Sequence, residues 1–336
     1  MSRKKIGILF GMEDTFPWAV INEINARGGG EVEAEPVKIS WLKDDGRYGY
    51  DLILDRISHE VPFYRTFVKC AMAGGATIVN NPVWWSADDK FFDNIVAKAV
   101  DVAVPRTVLL PHKQHPPNTQ DSTFRNMTYV AWDEVFDYLG FPIFLKPAYG
   151  GGWKDVWKVD NPQAFFSAYD QTRDLCMMAQ EAIEFTEYYR CWVVGRSRVH
   201  AMLYDPKAPF HLRYIPDPPA ADPALHDKVV RDAIALCDAL GYDMNTVELA
   251  VRDGIPYAID FMNCAPDADV HSLGERNFRW VVDNMAEELI ARVTSPRPFE
   301  LTGSWPDKLG LRKGRKAAGN GAAKKKKAGT AVVAPE

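Results

Sequence analysis

The sequence lacks the features of membrane-spanning and nucleic-acid-binding proteins. No apolar run in its 336 residues approaches the roughly 20 residues needed to cross a bilayer. Acidic and basic residues nearly balance, with a net charge of −5, and the basic run at residues 324–327 lies in a glycine- and alanine-rich tail. No extended basic surface is therefore expected. The composition predicts a soluble globular protein that binds neither a membrane nor a nucleic acid.

Cysteine is scarce, and the sequence lacks a recognisable secretion signal. The five cysteines show no close spacing of the kind found in zinc or redox motifs, which favours buried thiols in a reducing compartment. The amino-terminal segment MSRKKIGILFG has positive charges before an apolar run, but the run is short and meets Glu13 and Asp14 at once. We therefore expect a cytoplasmic protein whose first apolar run is a β-strand.

Two common nucleotide-binding loops are also missing. The first predicted strand ends in Gly-Met-Glu-Asp at residues 11–14 rather than in a G-x-G-x-x-G turn, which excludes the dinucleotide fingerprint. The glycine cluster near residue 150 is not followed by Gly-Lys-Ser/Thr, which excludes a P-loop. There is also no Ser-His-Asp or Cys-His signature of nucleophilic catalysis.

The amino-terminal part of the chain shows an alternating strand and helix pattern. Strand-like apolar runs are found at residues 6–10, 37–41, 51–57 and 76–79, and helical patterns at residues 18–26 and 62–73. This alternation predicts βαβ units and a small parallel sheet. We expect a Rossmann-like lobe over residues 1–85.

The remaining chain predicts an α+β body with mostly antiparallel strands. Helices are expected at residues 86–100, with Ser86 as N-cap, and at 132–139, 163–173, 225–240 and 278–293. Strands are expected at residues 106–110, 142–146, 156–159, 175–179, 191–194 and 198–203, with a further pair around Asp253 and Gly254. Residues 111–128 predict a long loop, and residues 306–336 predict a disordered tail.

A lysine at the end of an apolar strand is the strongest chemical signal. Residues 144–146, Phe-Leu-Lys, are followed by a glycine cluster formed by Gly150, Gly151 and Gly152. Glycines let backbone N–H groups approach phosphate oxygens, and Lys146 adds a positive charge. A plain hairpin turn that needs glycine for positive φ explains the motif about equally well when it is taken alone.

Two acidic residues fall on a predicted β-hairpin. Glu248 and Asp260 lie in apolar strands on either side of Asp253 and Gly254. A three-residue loop places the two carboxylates opposite each other on one face, where a cation would relieve their repulsion. A two-residue loop divides them between the two faces. In the first lobe, Asp55, Arg56 and Glu13 follow strands whose carboxyl ends are suited to ligands, although an interface ion pair is an equal alternative.

The order of these features resembles the ATP-grasp superfamily, which includes glutathione synthetase, D-alanine:D-alanine ligase and the ribosomal-protein glutamate ligases. The similarity covers about residues 80–265. That family has an early Asp-Lys pair, similar to Asp89-Lys90, and a second lysine before a glycine-rich loop, similar to Lys146. The resemblance implies that Lys90, Lys146 and the glycine cluster bind ATP phosphates. It also implies an ATP-grasp fold with nucleotide-clasping lobes at residues 86–181 and 182–305.

The family hinge between the two lobes is similar to residues 179–183 of this sequence. Its backbone meets the edge of adenine, which implies contacts from Gln180, Glu181 and Ile183. A following acid binds the ribose hydroxyls in the family. Glu184 and Glu187 both qualify, and Glu187 is preferred because it precedes Tyr-Tyr-Arg at residues 188–190.

The metal ligands implied by the resemblance are Glu248, Asp260 and Asn263. Mg²⁺ takes hard oxygen ligands from carboxylates and ATP phosphates, and Mn²⁺ can substitute for it. The family usually has one residue between the acid and the asparagine, whereas two separate Asp260 from Asn263. A β-bulge at residue 261 or 262 would bring the groups together. Alternatively, the ligands shift to Asp267 or Asp269.

The resemblance implies an ADP-forming carboxylate-amine ligase, or less often a carboxylate-thiol ligase, that acts through an acyl phosphate. Related enzymes keep a substrate-covering loop where this chain has Arg213, which implies a catalytic role for that arginine; a solvated loop arginine is equally compatible. The substrates implied are small molecules, amino acids or peptides, and a homodimer remains open. A non-catalytic ATP-binding regulatory module and a small-molecule kinase are the alternatives.

Overall fold

The computed structural model describes residues 3–44, 48–150, 153–216, 218–219 and 221–311. Within these residues three four-stranded sheets form the framework. One lies in each of the predicted ranges 1–85, 86–181 and 182–305, and the domain boundaries themselves remain predictions. No helix in the described parts of the chain is long and apolar enough to span a membrane.

The amino-terminal sheet is parallel, in the order β2-β1-β3-β4. Its strands are β1 Lys4–Leu9, β2 Val32–Pro36, β3 Leu52–Asp55 and β4 Thr77–Val79, with helices α1 Phe16–Arg27 and α2 Pro62–Ala73. The predicted strand at residues 37–41 is wrong, because the pairing of β2 with β1 ends at Pro36 opposite Ile8. Val37 and Ile39 instead pack in a loop at the edge of the core beneath α2.

The start of the next region differs from the single helix predicted from residue 86. Two helices form here, α3 Pro82–Trp85 and α4 Lys90–Ala99, and Ser86 ends the first instead of capping the second. Asp89 is the N-cap of α4, and its side chain accepts from the amides of Phe91 and Phe92. As a consequence, Lys90 is the first residue of α4.

The middle sheet is antiparallel, in the order β5-β8-β6-β7. Its strands are β5 Thr107–Leu110, β6 Ile143–Pro147, β7 Trp157–Val159 and β8 Met177–Glu181, with helices α5 Trp132–Leu139 and α6 Pro162–Gln171. Because side chains alternate along a strand, Ile143 and Leu145 join the core under these helices, while Phe144 and Lys146 belong to the other face. We call that other face the open face of the middle sheet.

The carboxyl-terminal sheet is also antiparallel, in the order β10-β9-β11-β12. Its strands are β9 Glu187–Val194, β10 Arg198–Leu203, β11 Met244–Arg252 and β12 Ile255–Asp260. Helix α7, Pro223–Leu240, covers one face. After the short helix α8, Val270–Leu273, helix α9, Glu275–Thr294, packs between the other face and the amino-terminal sheet.

A buried asparagine joins the first and last sheets. The side chain of Asn80 donates to the carbonyl oxygens of Met244 (2.7 Å) and Cys264 (3.1 Å) and accepts from the amides of Asp243 (2.7 Å) and Met244 (2.9 Å). All four hydrogen bonds cross from the end of β4 to residues distant in sequence. Asn80 therefore fixes the amino-terminal sheet against β11.

The loop at residues 111–128 and the tail complete the chain. The loop contains only a short 3₁₀ turn, Asp121–Phe124, as its composition suggested. Residues 306–308, assigned to the tail from sequence, lie in helix α10, Trp305–Lys308, where Trp305 stacks on Trp84 at 5.4 Å. The rest of the predicted disordered tail, residues 312–336, lies outside the described residues.

Candidate functional site

Two lysines from different elements line one cleft. Lys90 lies at the start of α4, and Lys146 lies on the open face of the middle sheet. The cleft lies between that face, α4 and the end of β12, and its lining also includes Gln180 and Asp260. Lys90 Nζ is 3.3 Å from Asp260 Oδ2. The structure thus brings together residues separated by up to 170 positions in the chain.

Lys146 is half-buried and held by two acceptors. Its Nζ donates to Gln180 Oε1 (2.9 Å) and to the carbonyl oxygen of Ile259 (3.3 Å), while Gln180 is fixed by a bond from its Nε2 to Thr107 Oγ1 (3.0 Å). Burial lowers the pKa of Lys146 to about 8; nearby Asp260 acts in the opposite direction and Lys90 adds to the decrease. A half-buried, incompletely compensated ammonium group is suited to an anionic ligand.

A β-bulge places the two acids of the hairpin opposite each other. The loop has two residues, Asp253 and Gly254, both with positive φ, which by simple alternation would put Glu248 and Asp260 on different faces. However, Leu249 pairs with Ala258 and Glu248 with Asp260, so Ile259 is an extra residue on β12. The predicted bulge at residue 261 or 262 therefore lies at Ile259, whose carbonyl oxygen is the acceptor for Lys146.

Glu248 is half-buried between an acid and a cation. Its carboxylate accepts from Tyr188 OH (2.5 Å) and lies 3.4 Å from Arg190 Nη1. Burial raises the pKa of Glu248, the Arg190 guanidinium lowers it, and the facing Asp260 raises it further. Two opposed carboxylates, of which Asp260 is the more exposed, make a suitable pair of hard oxygen ligands.

Asn263 lies close to the face of β11 that includes Glu248. Its Nδ2 donates to Thr246 Oγ1 (3.2 Å), and its amide donates to Asn245 Oδ1 (3.0 Å). Thr246 is two residues from Glu248, so both side chains share one face. Asn263 is thus near the acid pair, at the end nearer Thr246.

The alternative metal ligands Asp267 and Asp269 have other partners. Asp267 accepts from the amide of Asp269 (3.0 Å) and from Ser272 Oγ (2.5 Å). Asp269 is the N-cap of α8 and accepts from the amide of His271 (2.7 Å). Both carboxylates therefore stabilise the turn before α8.

A side-chain hydrogen bond links the residue before the glycine cluster to the residue before Lys90. Gly150 has a φ of 100°, a conformation that favours glycine, and the preceding Tyr149 donates from its hydroxyl to Asp89 Oδ2 (2.8 Å). This bond ties the start of the loop to the N-cap of α4. Gly151 and Gly152 lie outside the described residues.

The hinge residues differ in what their side chains do. Gln180 orients Lys146, as described above. The Glu181 carboxylate binds Arg106 (3.0 Å) and Arg252 (2.8 Å), and its backbone amide donates to the carbonyl oxygen of Arg106 (2.9 Å). Ile183 is buried just beyond the end of β8.

The two candidate ribose ligands lie in different places. Glu187 accepts from Tyr189 OH (2.6 Å), and Tyr189 lies on the face of the carboxyl-terminal sheet covered by α7. Glu248 is on the opposite face, so the structure does not bring Glu187 to the lysine cleft. Glu184 is exposed and directly follows the hinge.

Arg213 belongs to a second group of residues, on the far side of Glu248 from the lysines. Its Nη1 donates to Tyr204 OH (3.3 Å), and Arg190 Nη1 donates to the same hydroxyl (3.4 Å). In the sequence-based prediction, Arg190 served only to favour Glu187 over Glu184 and had no role of its own. The sequence carried no signal for it, because its position opposite Glu248 depends on the pairing of β9 with β11.

Asp93 was also not among the site residues predicted from the sequence. It lines the cleft, is 1% exposed, and neither of its carboxylate oxygens has a hydrogen-bond partner among the described residues. Burial, together with the neighbouring Asp88, raises its pKa well above the usual range. Its spacing of three residues from Lys90 places both on one side of α4, which was the available signal.

The acid and arginine of the first lobe form an interface instead of a pocket. Arg56 is buried, donates to Glu13 through Nε (3.0 Å), and donates to the carbonyl oxygen of Pro266 (2.6 Å). Asp55 binds the amide and hydroxyl of Ser58. Arg56 and Glu13 thus form the ion pair of the alternative prediction, whereas Asp55 stabilises the turn at Ser58.

The residues of the cleft fit a magnesium-nucleotide ligand chemically. Two lysines, one of them half-buried with a lowered pKa, would bind phosphate oxygens, and two opposed carboxylates supply oxygen ligands. No group of three or more His, Cys, Asp or Glu side chains in the described chain could hold a metal by itself. A Mg²⁺ ion here would complete its shell with phosphate oxygens and water, as it usually does.

Comparison with known proteins identifies the fold. No protein-family model matches the chain, and no curated protein sequence matches it. Among solved structures, D-alanine–D-alanine ligase from Bacillus anthracis, complexed with ATP, is 18% identical with a TM-score of 0.60, covering 88% of this chain and 100% of that chain. A RimK domain ATP-grasp protein from Sphaerobacter thermophilus is 18% identical with a TM-score of 0.61, covering 85% of this chain and 99% of that one.

A third similar structure is the ATP-grasp ligase PsnB, complexed with minimal precursor, Mg and ADP. It is 14% identical, with a TM-score of 0.56, and the match covers 86% of this chain and 98% of that one. The three matches cover between 85% and 88% of this chain. The chain therefore has the ATP-grasp fold, as its sequence predicted.

Proposed function

We propose that this chain binds Mg-ATP in the lysine cleft and is an ADP-forming ligase that joins a carboxylate to an amine through an acyl phosphate. The observation that carries the proposal is the convergence of Lys90, Lys146, Glu248 and Asp260. A purely structural role does not account for a half-buried lysine with a lowered pKa beside two opposed acids.

The nucleotide phosphates are assigned to Lys90, Lys146 and the glycine cluster. Adenine is assigned to the backbone of Glu181 and Ile183. For the ribose, the exposed position of Glu184 makes it a better candidate than Glu187, whose carboxylate faces the other side of the sheet.

The metal is assigned to Glu248, Asp260 and Asn263. A Mg²⁺ ion held by these residues would supply positive charge to the phosphates during phosphoryl transfer. Glu248 and Asp260 are cross-strand neighbours, and Asn263 is anchored to Thr246 on the same side. The residues of the chain thus provide two carboxylates and one amide oxygen.

In the reaction, an oxygen of the substrate carboxylate attacks the γ-phosphorus while the bond from that phosphorus to the β,γ-bridging oxygen breaks. The products of this step are an acyl phosphate and ADP. The amine nitrogen then attacks the acyl carbon, inorganic phosphate leaves, and the amine loses a proton. In this proposal Lys90 and Lys146 stabilise charge on the phosphates, and the acyl phosphate is assigned to Arg190 and Arg213, which share Tyr204 OH as an acceptor.

The names of the similar structures support this proposal. One is a D-alanine–D-alanine ligase complexed with ATP, and another is a ligase complexed with Mg, ADP and a minimal precursor. These descriptions belong to those proteins. For this chain, they favour amino acids and peptides as the first substrates to examine.

The test is ADP release from Mg-ATP with a panel of amino acids and small peptides. We compare the parent with Lys146→Met and Asp260→Asn. Lys158→Met is the control for the lysine because it is exposed on β7 of the same sheet. Asp253→Asn is the control for the acid because it removes one charge at the exposed tip of the same hairpin, where asparagine tolerates the positive φ.

Acceptor-dependent ADP release that is lost in Lys146→Met and Asp260→Asn but retained in both controls is the expected result. ATP binding without turnover across the panel would instead favour a regulatory nucleotide-binding module. A stable phosphoester product would indicate a kinase. Failure of the parent to bind ATP would contradict the proposal as a whole.

A further inference from the structure

Two buried hydrogen-bond donors beside Glu248 have no acceptor. They are Nε of Arg190 and the hydroxyl of Tyr214, and neither has a partner among the residues that the structure describes. Tyr214 is 8% exposed, and the Arg190 side chain is 12% exposed. Buried polar atoms are nearly always paired, so two unpaired donors in one place point to a missing ligand.

The backbone, and not the hydroxyl, holds Tyr214 in place. After β10 the chain makes a loop and returns, so that Tyr204 and Tyr214 form an isolated antiparallel bridge. The amide of Asp205 donates to the carbonyl oxygen of Arg213 (2.8 Å), and the Tyr214 ring packs edge-on against Tyr204 with 5.0 Å between centroids. The hydroxyl therefore makes no contribution that would explain its burial as structural.

Arg190 is fixed in the same region by contacts that leave its Nε unused. Its guanidinium carbon is 5.4 Å from the Tyr204 ring centre, and its Nη1 faces Tyr204 OH and Glu248. Arg190 and Tyr214 are close enough that each shifts the pKa of the other. The structure thus holds an N–H donor and an O–H donor in one small buried region.

The nearby acids do not supply the missing acceptor. Glu248 accepts from Tyr188, and Asp267 accepts from Ser272 and from the amide of Asp269. Burial raises the pKa of Tyr214, so its hydroxyl remains protonated and can donate over the whole working pH range. The ligand that fits two donors, one of them on a cation, is an oxyanion.

We propose that Tyr214, together with Nε of Arg190, binds the oxyanion of the acid substrate, either as the carboxylate or as the acyl phosphate formed from it. This inference rests on the proposed ligase function and assigns Tyr214 as a substrate-binding residue. The position next to Glu248 places this oxyanion site at the metal end of the lysine cleft, where the carboxylate and the transferred phosphoryl group must meet.

Tyr214→Phe tests the proposal because it removes only the hydroxyl. In ADP release driven by the acid found in the substrate panel, kcat/KM is expected to fall about tenfold to a hundredfold, since a hydrogen bond to an anion is lost. A higher KM with unchanged kcat indicates that the carboxylate is bound there; a lower kcat with unchanged KM indicates the acyl phosphate. Unchanged kinetics would overturn the proposal.

The same variant should not destabilise the ligand-free protein. Removing an unpaired buried hydroxyl leaves thermal stability unchanged or raises it, whereas a structural hydroxyl would lower it. Tyr169→Phe is the matched control. Tyr169 lies on α6, away from the cleft, and its hydroxyl donates to the carbonyl oxygen of Pro111 (2.6 Å). That control should lose stability and keep its kinetics. A Tyr214→Phe protein that behaves like the control would contradict the assignment.

A second measurement requires no turnover. Inorganic phosphate is expected to raise the melting temperature of the parent and to have a smaller effect on Tyr214→Phe. If phosphate stabilises only the parent while no acid drives ADP release, the ligase proposal fails and the oxyanion site remains. An equal effect of phosphate on both proteins, or no effect on the parent, would count against Tyr214.

Discussion

Replacing Lys146 by methionine is expected to stabilise the ligand-free protein at pH 7 and to abolish ATP binding. The pKa of Lys146 falls from 10.5 to about 8 on folding, and a difference of about 2.5 corresponds to about 3.4 kcal/mol. Against this gain, the variant leaves the buried Gln180 Oε1 without its donor, which costs about 1–3 kcal/mol, and removes the longer bond to the Ile259 carbonyl oxygen (3.3 Å). The net expectation is a stabilisation of about 1 kcal/mol at pH 7.

The pH dependence gives the sharper test. Because the lysine pKa is lower in the folded protein, the folded state binds fewer protons than the unfolded chain. The penalty of the charged lysine is therefore fully present below pH 8 and disappears as the pH rises towards 10.5. Between pH 7 and pH 9.5, the advantage of Lys146→Met should decrease by about 2 kcal/mol.

The assay is urea unfolding of the parent, Lys146→Met and the exposed control Lys158→Met at both pH values. Differential scanning with Mg-ATP accompanies it, since the nucleotide should stabilise the parent and the control only. A Lys146→Met protein that is less stable than the parent by the same amount at both pH values would refute the reasoning. Such a result would mean that the half-buried lysine is compensated without a ligand.

Three further predictions concern neighbouring groups. Glu248→Gln should increase the Mg²⁺ concentration needed for half-maximal ADP release by about tenfold or more, because one charged ligand is lost; an unchanged Mg²⁺ titration would contradict its role. Asp93→Asn should be more stable than the parent, and the difference in free energy of unfolding should grow from pH 5 to pH 8. The reason is that the pKa of this buried acid is raised, so its ionisation in the folded protein becomes more costly as the pH rises. A pH-independent difference in urea unfolding would refute this. Asn80→Ala should lower the free energy of unfolding by about 3 kcal/mol or more in the same assay, because it breaks four buried hydrogen bonds. The exposed control Asn126→Ala should change it by less than about 0.5 kcal/mol.

The fold could be predicted where local pattern and tertiary packing agree. The helices at residues 62–73 and 132–139 have the bounds expected from their apolar periodicity, and β10 does as well. The predictions failed where several residues compete for one local role. Ser86 and Asp89 are both good N-caps, and the tertiary bond from Tyr242 OH to Asp88 (2.8 Å) fixes the chain just before Asp89 in the structure.

The candidate site was predictable in its residue types but not in its geometry. The lysine before the glycine cluster and the two acids of the hairpin were recognisable because strands that end in such residues have few structural reasons to do so. By contrast, Arg56 and Glu13 looked equally suited to a ligand and are joined in an interface. Sequence spacing cannot distinguish these cases, because the partner of Arg56 at Pro266 is 210 residues away.

The sequence by itself determined the alternating elements, the lysine at the end of β6 and the pair of acids flanking a tight turn, since these depend on local propensity and spacing. The tertiary structure decided which of them meet. The bulge at Ile259 reverses the faces that a two-residue loop would give, and its carbonyl oxygen binds Lys146 from another sheet. The burial that lowers the pKa of Lys146 and leaves Tyr214 unpaired exists only after distant segments pack, because it depends on the exclusion of water by all of them together.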